Sequence, residues 1–158
     1  MRKLMYSVSK VFHTDSTSLH DQMNFYSDFE RDLNQCKTEA LIECPFITSN
    51  RVASLLPIFE KMRSRGVRII VNTRHHDEHE YPYNSQAESA IATLQALDVT
   101  ILFTGKHHRK LAILDNEILW EGSLNILSHS NSCEVMRRTQ SKAHAMAMRR
   151  FINIDKHI

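Results

Sequence analysis

The chain has 158 residues, 42% of them hydrophobic, with only three glycines and three prolines. That is the size and composition of one folded domain, and it excludes a disordered, collagen-like or low-complexity chain. A formal net charge of +2 at pH 7 excludes a strongly polyanionic or polycationic protein, so partners have to be read from where charge sits rather than from its sum.

The opening stretch, MRKLMYSVSKVFHTDSTS, is basic at its start but carries no apolar run of signal-peptide length. No segment approaches the roughly 20 apolar residues of a membrane span. Three cysteines, Cys36, Cys44 and Cys133, are odd in number and have no paired spacing. They are expected as reduced, partly buried thiols of an intracellular protein. The expectation is a soluble, cytoplasmic chain without membrane contact, in which residues 1–158 form one domain. Its core is expected to run from about 19 to 153, behind an N-terminal segment 1–18.

LHDQMNFYSDFERDLNQCKTEA sets Met23, Tyr26, Phe29, Leu33 and Cys36 at helical spacing with charges between them, which predicts a first helix. ALIECPFIT follows as a short buried strand closed by Pro45. SNRVASLLPIFEKMRSRG opens on a Ser-Asn capping candidate, carries Leu55, Leu56, Phe59 and Met62, and stops at Gly66. VRIIVNTR is β-branched and apolar, a second buried strand. HHDEHEYPYNSQ breaks the pattern and predicts a loop, before a helix at SAIATLQALD and a strand at VTILFTG.

This alternation predicts a parallel-type sheet covered by helices. The rhythm then changes. HRKLAILD and EILWEG are separated by Asp115-Asn116, too close for a helical crossover, so they predict a hairpin and a mixed sheet. CEVMRR is a candidate last strand and SKAHAMAMRRFINI a closing helix. The fold class expected is α/β, a mixed β-sheet flanked by helices on both faces.

The hairpin gathers chemistry. Residues two apart in a strand share a face, so His108 and Lys110 point one way while Arg109 and Leu111 point the other. If Asp115-Asn116 closes a two-residue turn, Leu114 faces Glu117, Lys110 faces Glu121 and His108 faces Ser123, with Asn125 just beyond. An imidazole, an ammonium, a hydroxyl and a carboxamide then surround one small volume. That set suits a phosphate: imidazole can attack phosphorus or move protons near neutral pH. Lysine and amide donors can hold the non-bridging oxygens, and Gly122 allows a tight backbone approach.

His108, Lys110, Asp115, Gly122, Ser123 and Asn125 fit H-x-K-x4-D-x6-G-S-x-N at every specified position. The pattern resembles the HKD signature of the phospholipase D superfamily. The surrounding order of helix, IECPFI, helix, RGVRIIVNTR, helix, LDVTILF and motif resembles that family's small nuclease-type domain from about Phe25 to Phe151. It is similar in style to single-motif bacterial nucleases and to the phospholipase D-like modules fused to helicases or ATPases.

The resemblance implies a phosphodiesterase. His108 is then the nucleophile of a phosphohistidine intermediate, and Lys110 and Asn125 bind phosphate oxygens with Ser123 assisting. Asp115 and Gly122 are structural. Glu134, in NSCEVMRR, is the candidate for the downstream carboxylate that orients the histidine. One H-x-K supplies half a site, so two copies have to meet across a two-fold axis as a homodimer sharing its active site. The scheme uses no cofactor and no metal.

Around the motif, Arg74, Lys106, Arg109, Arg137 and Arg138 are candidate contacts to a nucleic-acid backbone, with DNA the expected partner. His107 is expected on the far side of the strand from His108, as a solvated or supporting histidine. His75, His76, Asp77 and His79 raise the question of zinc, but they lack H-E-x-x-H or a Cys-x-x-Cys partner and are taken as a polar loop lining the substrate groove. Met146, Met148, Phe151 and Ile152 are expected in the core or a dimer interface. Trp120 is assigned to packing, and Cys133 is taken as a buried thiol.

The preferred reading is a metal-independent endonuclease. The alternatives are a phospholipid phosphodiesterase with the same chemistry, and a nucleic-acid-binding module of a helicase or restriction system.

Overall fold

The computed structural model describes residues 15–128 and 131–158. The expectation that the chain carries no signal peptide rests on residues that lie mostly outside this range. In chain order the strands are β1 (Ser16–His20), β2 (Glu39–Glu43), β3 (Arg68–Thr73), β4 (Thr100–Phe103), β5 (Leu111–Leu114), β6 (Ile118–Gly122) and β7 (Met136–Gln140). The helices are α1 (Phe25–Gln35), α2 (Ser49–Ser64), α3 (Tyr83–Ala96) and α4 (Lys142–Ile152). The strands form one sheet in the order β1-β7-β6-β5-β2-β3-β4. Neighbours β2, β3 and β4 run parallel, while β5, β6, β7 and β1 pair antiparallel. This is the mixed α/β sheet expected from the alternation followed by a hairpin.

Both faces are covered. Helices α1, α2 and α3 bury Phe29, Leu33, Leu55, Phe59, Met62 and Leu94 against one face, together with Ala40, Ile42 and Trp120 of the sheet. Helix α4 covers the other face, where Ala145 and Ile152 pack on Leu41, Ile70, Leu111, Ile113 and Leu119. Trp120 is fully buried, as its assignment to packing required. Its indole donates to Asp32 at 2.8 Å, and Asp32 in turn accepts Nε of Arg138 at 2.7 Å, joining α1 to β7.

Several boundaries differ from the sequence reading. Helix α1 begins at Phe25, which is fully buried, while Met23 is 83% exposed and outside it; Cys36 is the buried residue that caps it. The cap of α2 is Thr48, whose hydroxyl accepts Arg51 N, so Ser49 and Asn50 lie in the first turn. Gly66, at φ +79, ends that segment as expected. Helix α3 starts at Tyr83, six residues before the predicted start, because the polar residues following Pro82 form its first turns.

Strand β1 had no counterpart in the sequence reading. It is a polar edge strand, STSLH, pairing only with β7, and it shows no apolar alternation to detect. Cys133 is exposed rather than buried, since it lies in the loop before β7. Phe151 is 79% exposed and outside the core, although Ile152 is inside it.

The hairpin is shifted by one residue. Leu114 pairs with Ile118 and Leu111 with Glu121, so Lys110 lies beside Gly122. Asp115 and Asn116 both take φ 54, the left-handed geometry of a tight turn, and Glu117 N bonds Leu114 O at 3.0 Å. Glu117 is then an extra residue on the β6 side of the β5–β6 ladder, and its carbonyl accepts Ser141 N at 2.8 Å in continuation of the β6–β7 register.

Asp115 explains why the turn sits where it does. Its carboxylate accepts the backbone N–H groups of Lys37, Thr38 and Glu39 at 2.9, 2.8 and 3.1 Å, and the Thr38 hydroxyl at 2.7 Å. These bonds hold its pKa down at about 2, against the opposing effect of partial burial.

Candidate active site

The parallel strands β2, β3 and β4 all end on one edge of the sheet, and the same edge receives the start of β5, the end of β6 and the start of β7. Loops after parallel strand ends are the usual ligand-binding edge of such sheets. His108 and Lys110 lie on the approach to β5, Ser123 and Asn125 just beyond β6, and Glu134 just before β7. The structure therefore brings these five residues to one edge.

Lys110 is half-buried and His108 exposed. Lys110 Nζ stands 3.2 Å from His108 Nδ1 and donates to His108 O at 3.0 Å. Partial burial pulls the Lys110 ammonium below the ordinary lysine pKa, and the carboxylate of Glu134 acts in the opposite direction. Glu134 accepts the hydroxyl of Ser123 at one oxygen and that of Ser132 at the other, the latter at 2.6 Å. The Ser123 hydroxyl, then the Ser132 hydroxyl, and the charge of Lys110 hold Glu134 below the usual carboxylate range. Within the chain Glu134 is thus bonded to Ser123, while the imidazole it was expected to orient is bonded to Lys110.

Asn125 is placed by a braced loop. Leu124, Ile126 and Leu127 are fully buried. Arg51 Nε donates to Ile126 O at 3.2 Å, Thr48 N to Leu127 O at 2.9 Å and the Tyr26 hydroxyl to Ser128 O at 3.2 Å. Gly122 is fixed by its neighbour strand: a Cβ there would lie 2.1 Å from Val135 O and 2.9 Å from Met136 Cα. Only a residue without a side chain lets β6 and β7 close at this point.

Two hollows flank the site. One, of about 290 Å³, is lined by Asn125 with Phe46, His79 and Tyr83. The other, of about 530 Å³, is lined by Lys110 and Gly122 with Arg137, Leu19, Val135 and Phe151.

The candidate phosphate-contacting cations divide. Arg137 lines the larger hollow, and Lys106 is exposed at a left-handed backbone position with its N–H on Glu78 at 3.0 Å. Arg74 is bonded to Glu78 and lies over the Phe46 ring. Arg138 points to the opposite sheet face and is tied to Asp32, and Arg109 is tied to Glu43. Pairing in adjacent register places Arg137 and Arg138 on opposite faces, so they do not form one basic surface.

In the loop after β3, His75, His76 and Asp77 bring three donor atoms within 4.8 Å of one another, while His79 packs on Phe46.

The sequence reading missed Glu43 and its cluster. Glu43 is fully buried at the end of β2, and accepts from Asn72 at 2.7 Å and from Arg109 at 3.0 Å. His107 is buried beside it, with Nε2 3.7 Å from Glu43, so it is neither solvated nor part of the exposed site. Burial holds His107 below the ordinary histidine pKa, with Glu43 acting against it. The signal was present: Glu43 is a charged residue near the end of an otherwise apolar run, ALIECPFI. A charge there has to be partnered.

A family described as "Cardiolipin synthase, PLD-like domain" matches residues 29–154. Among solved structures, NucT from Helicobacter pylori is similar with TM-score 0.67 and 16% identity, over 87% of this chain and 93% of that one. The phospholipase D family member Nuc from Salmonella typhimurium gives TM-score 0.71 and 12% identity, over 85% and 90%. A phosphatidylserine synthase from Haemophilus influenzae gives 0.65 and 13%, over 98% of this chain and 42% of that one. No curated protein matches by sequence. With most of its length matched by that family and its fold similar to those of Nuc and NucT, the chain belongs to the phospholipase D-like superfamily.

Proposed function

We propose that the protein is a metal-independent phosphodiesterase that hydrolyses nucleic-acid backbones through a phosphohistidine on His108. The observation that carries this reading is the convergence of His108, Lys110, Ser123, Asn125 and Glu134 on one sheet edge. Lys110 and the Asn125 amide hold the non-bridging oxygens, and Ser123, itself fixed by Glu134 and Val135 N, adds a donor.

Tautomers follow from the contact with Lys110. A charged lysine only donates, so in the resting chain Nδ1 of a neutral His108 is the acceptor and Nε2 carries the proton. The acid role needs the imidazolium form, which keeps the Nδ1 proton after giving up the one on Nε2. Arrival of a phosphate draws Lys110 away and lets the proton move to Nδ1, which frees Nε2 to attack. A P–N bond forms as the P–O bond to the leaving group breaks. The leaving oxygen takes a proton from the Nε2 of a protonated His108 of a second copy, which is left neutral. That second imidazole then removes a proton from water, which attacks phosphorus, breaks the P–N bond and regenerates His108.

One chain has one such histidine, so the scheme requires an isologous dimer. Leu19, Val135 and Phe151, 65%, 51% and 79% exposed beside Lys110, form an apolar rim suited to a second copy. The basic Arg137 in the same hollow and the likeness to Nuc and NucT favour nucleic acid as substrate. Phospholipid is the second reading, favoured by the family's description and the phosphatidylserine synthase neighbour.

The test is cleavage of labelled single- and double-stranded DNA in excess EDTA by wild type, His108→Ala and mixtures of the two. Wild type cuts, His108→Ala does not, and excess His108→Ala suppresses the wild type through mixed dimers. Cleavage abolished by EDTA, or unchanged specific activity after proven subunit exchange, contradicts the scheme.

A further inference from the structure

The residues on either side of His108 are both turned onto one buried carboxylate. In extended chain, positions 107 and 109 face one way and 108 the other. Arg109 grips Glu43 with Nε and Nη2, the latter at 3.0 Å, and the His107 ring is buried with Nε2 3.7 Å from the same group. Glu43 is itself fixed from behind. Asn72 Nδ2 donates to it at 2.7 Å, and the Thr104 hydroxyl donates to Asn72 Oδ1 at 3.0 Å. The cluster thus joins the ends of β2 and β3 to the segment 104–109. Farther along that segment, Gly122 N bonds Lys110 O at 3.2 Å.

Such a cluster is a poor choice for stability alone. Taking the Glu43 carboxylate out of water carries a large desolvation penalty that a partner still 41% exposed, Arg109, offsets only in part, and an apolar residue there would often serve stability as well or better. Both ring nitrogens of His107 also lack a hydrogen-bond partner among the described residues, a further cost at a fully buried side chain. The arrangement does, however, fix the backbone at the two residues that bracket His108.

We propose that Glu43 is a positioning residue that clamps His107 and Arg109 so that His108 and Lys110 project together toward the phosphate. This rests on the reading of His108 as the reacting imidazole. Glu43 touches no substrate; it acts through the two flanking side chains.

The test uses bis(4-nitrophenyl) phosphate, a phosphodiester too small to reach a nucleic-acid groove, with full-length wild type, Glu43→Gln, Glu43→Asp, Arg109→Gln and the double variant Glu43→Gln/Arg109→Gln. A reacting group displaced by about 1 Å costs up to about 100-fold in rate. Glu43→Gln and Arg109→Gln are therefore each expected to lower kcat by about 10- to 100-fold, with KM changed less than about threefold and Tm nearly unchanged. Glu43→Asp, which keeps the charge, recovers part of the loss. The double variant is no worse than the poorer single one, because both break the same clamp.

A kcat within about twofold of wild type for both single variants overturns the proposal, as does a loss that tracks Tm and disappears on cooling. If Arg109 serves only to contact nucleic acid, Arg109→Gln leaves hydrolysis of this small ester intact, which also overturns the clamp. His108→Ala in the same series separates the two readings. If His108→Ala retains wild-type activity, the assignment of the reacting histidine fails, and the clamp with it. If it is inactive, the Glu43 and Arg109 results judge the clamp alone.

Discussion

At the scale of single residues, the motif was legible because its members are polar side chains at fixed spacings, and the structure brings His108, Lys110, Ser123, Asn125 and Glu134 to one sheet edge. Asp115 was legible as structural, and the structure supplies the reason. It gathers three backbone N–H groups and a hydroxyl at the start of β2. Its pKa falls from 3.8 to about 2, so the charged form is favoured by folding. The stabilisation is fully present above the ordinary value and is lost as pH falls through the depressed one. Asp115→Asn is expected to cost about 2 kcal/mol near neutral pH, in the range for hydrogen bonds to a charged group. That deficit should shrink as pH drops from above about 4 toward about 2, in urea melts of variant and wild type run in parallel. A deficit that does not change with pH would mean the carboxylate charge contributes nothing.

What stayed hidden at this scale was hidden by partners distant in sequence. Arg109 and Arg138 look alike in a list of basic residues near the motif, yet each ends on a buried carboxylate, Glu43 and Asp32. Their commitment is set by where β2 and α1 put those carboxylates. Spacing around the motif carries no trace of it.

At the scale of elements, β2 to β5 were readable because each is a short apolar run and the helices between β2 and β4 repeat at 3.6 residues. Strand β1 was not, because an exposed edge strand of Ser, Thr and His lacks both signals. The hairpin register failed for a different reason. Asp115-Asn116 suggested a two-residue turn, but Leu114 pairs with Ile118, so Glu117 is an extra residue on the β6 side.

The corrected register is what brings Gly122 alongside Lys110 and tight against β7. Gly122→Ala places a methyl group 2.1 Å from Val135 O, so the two strands have to separate. The expected result is a loss of about 2 kcal/mol or more in chemical denaturation. Activity should fall with it, since Ser123 N bonds Val135 O at 2.9 Å across the same gap. A Gly122→Ala protein with wild-type stability and rate would show that this close approach is not needed.

At the scale of the whole molecule, none of the described helices is long and apolar enough to cross a membrane. The sheet presents its chemistry on one edge, beside the apolar rim of Leu19, Val135 and Phe151. The proposal built on these facts is that His108 forms a covalent bond to phosphorus and a second copy completes the reaction. The most direct measurement is to mix wild-type protein with an oligonucleotide labelled at the scissile phosphate in excess EDTA, and to quench at alkaline pH within a turnover. The labelled protein is then mapped. The account predicts label on His108, stable to alkali, released by acid and absent from His108→Ala. Cleavage that proceeds with no label on the protein at any time, and that continues in His108→Ala, would contradict it.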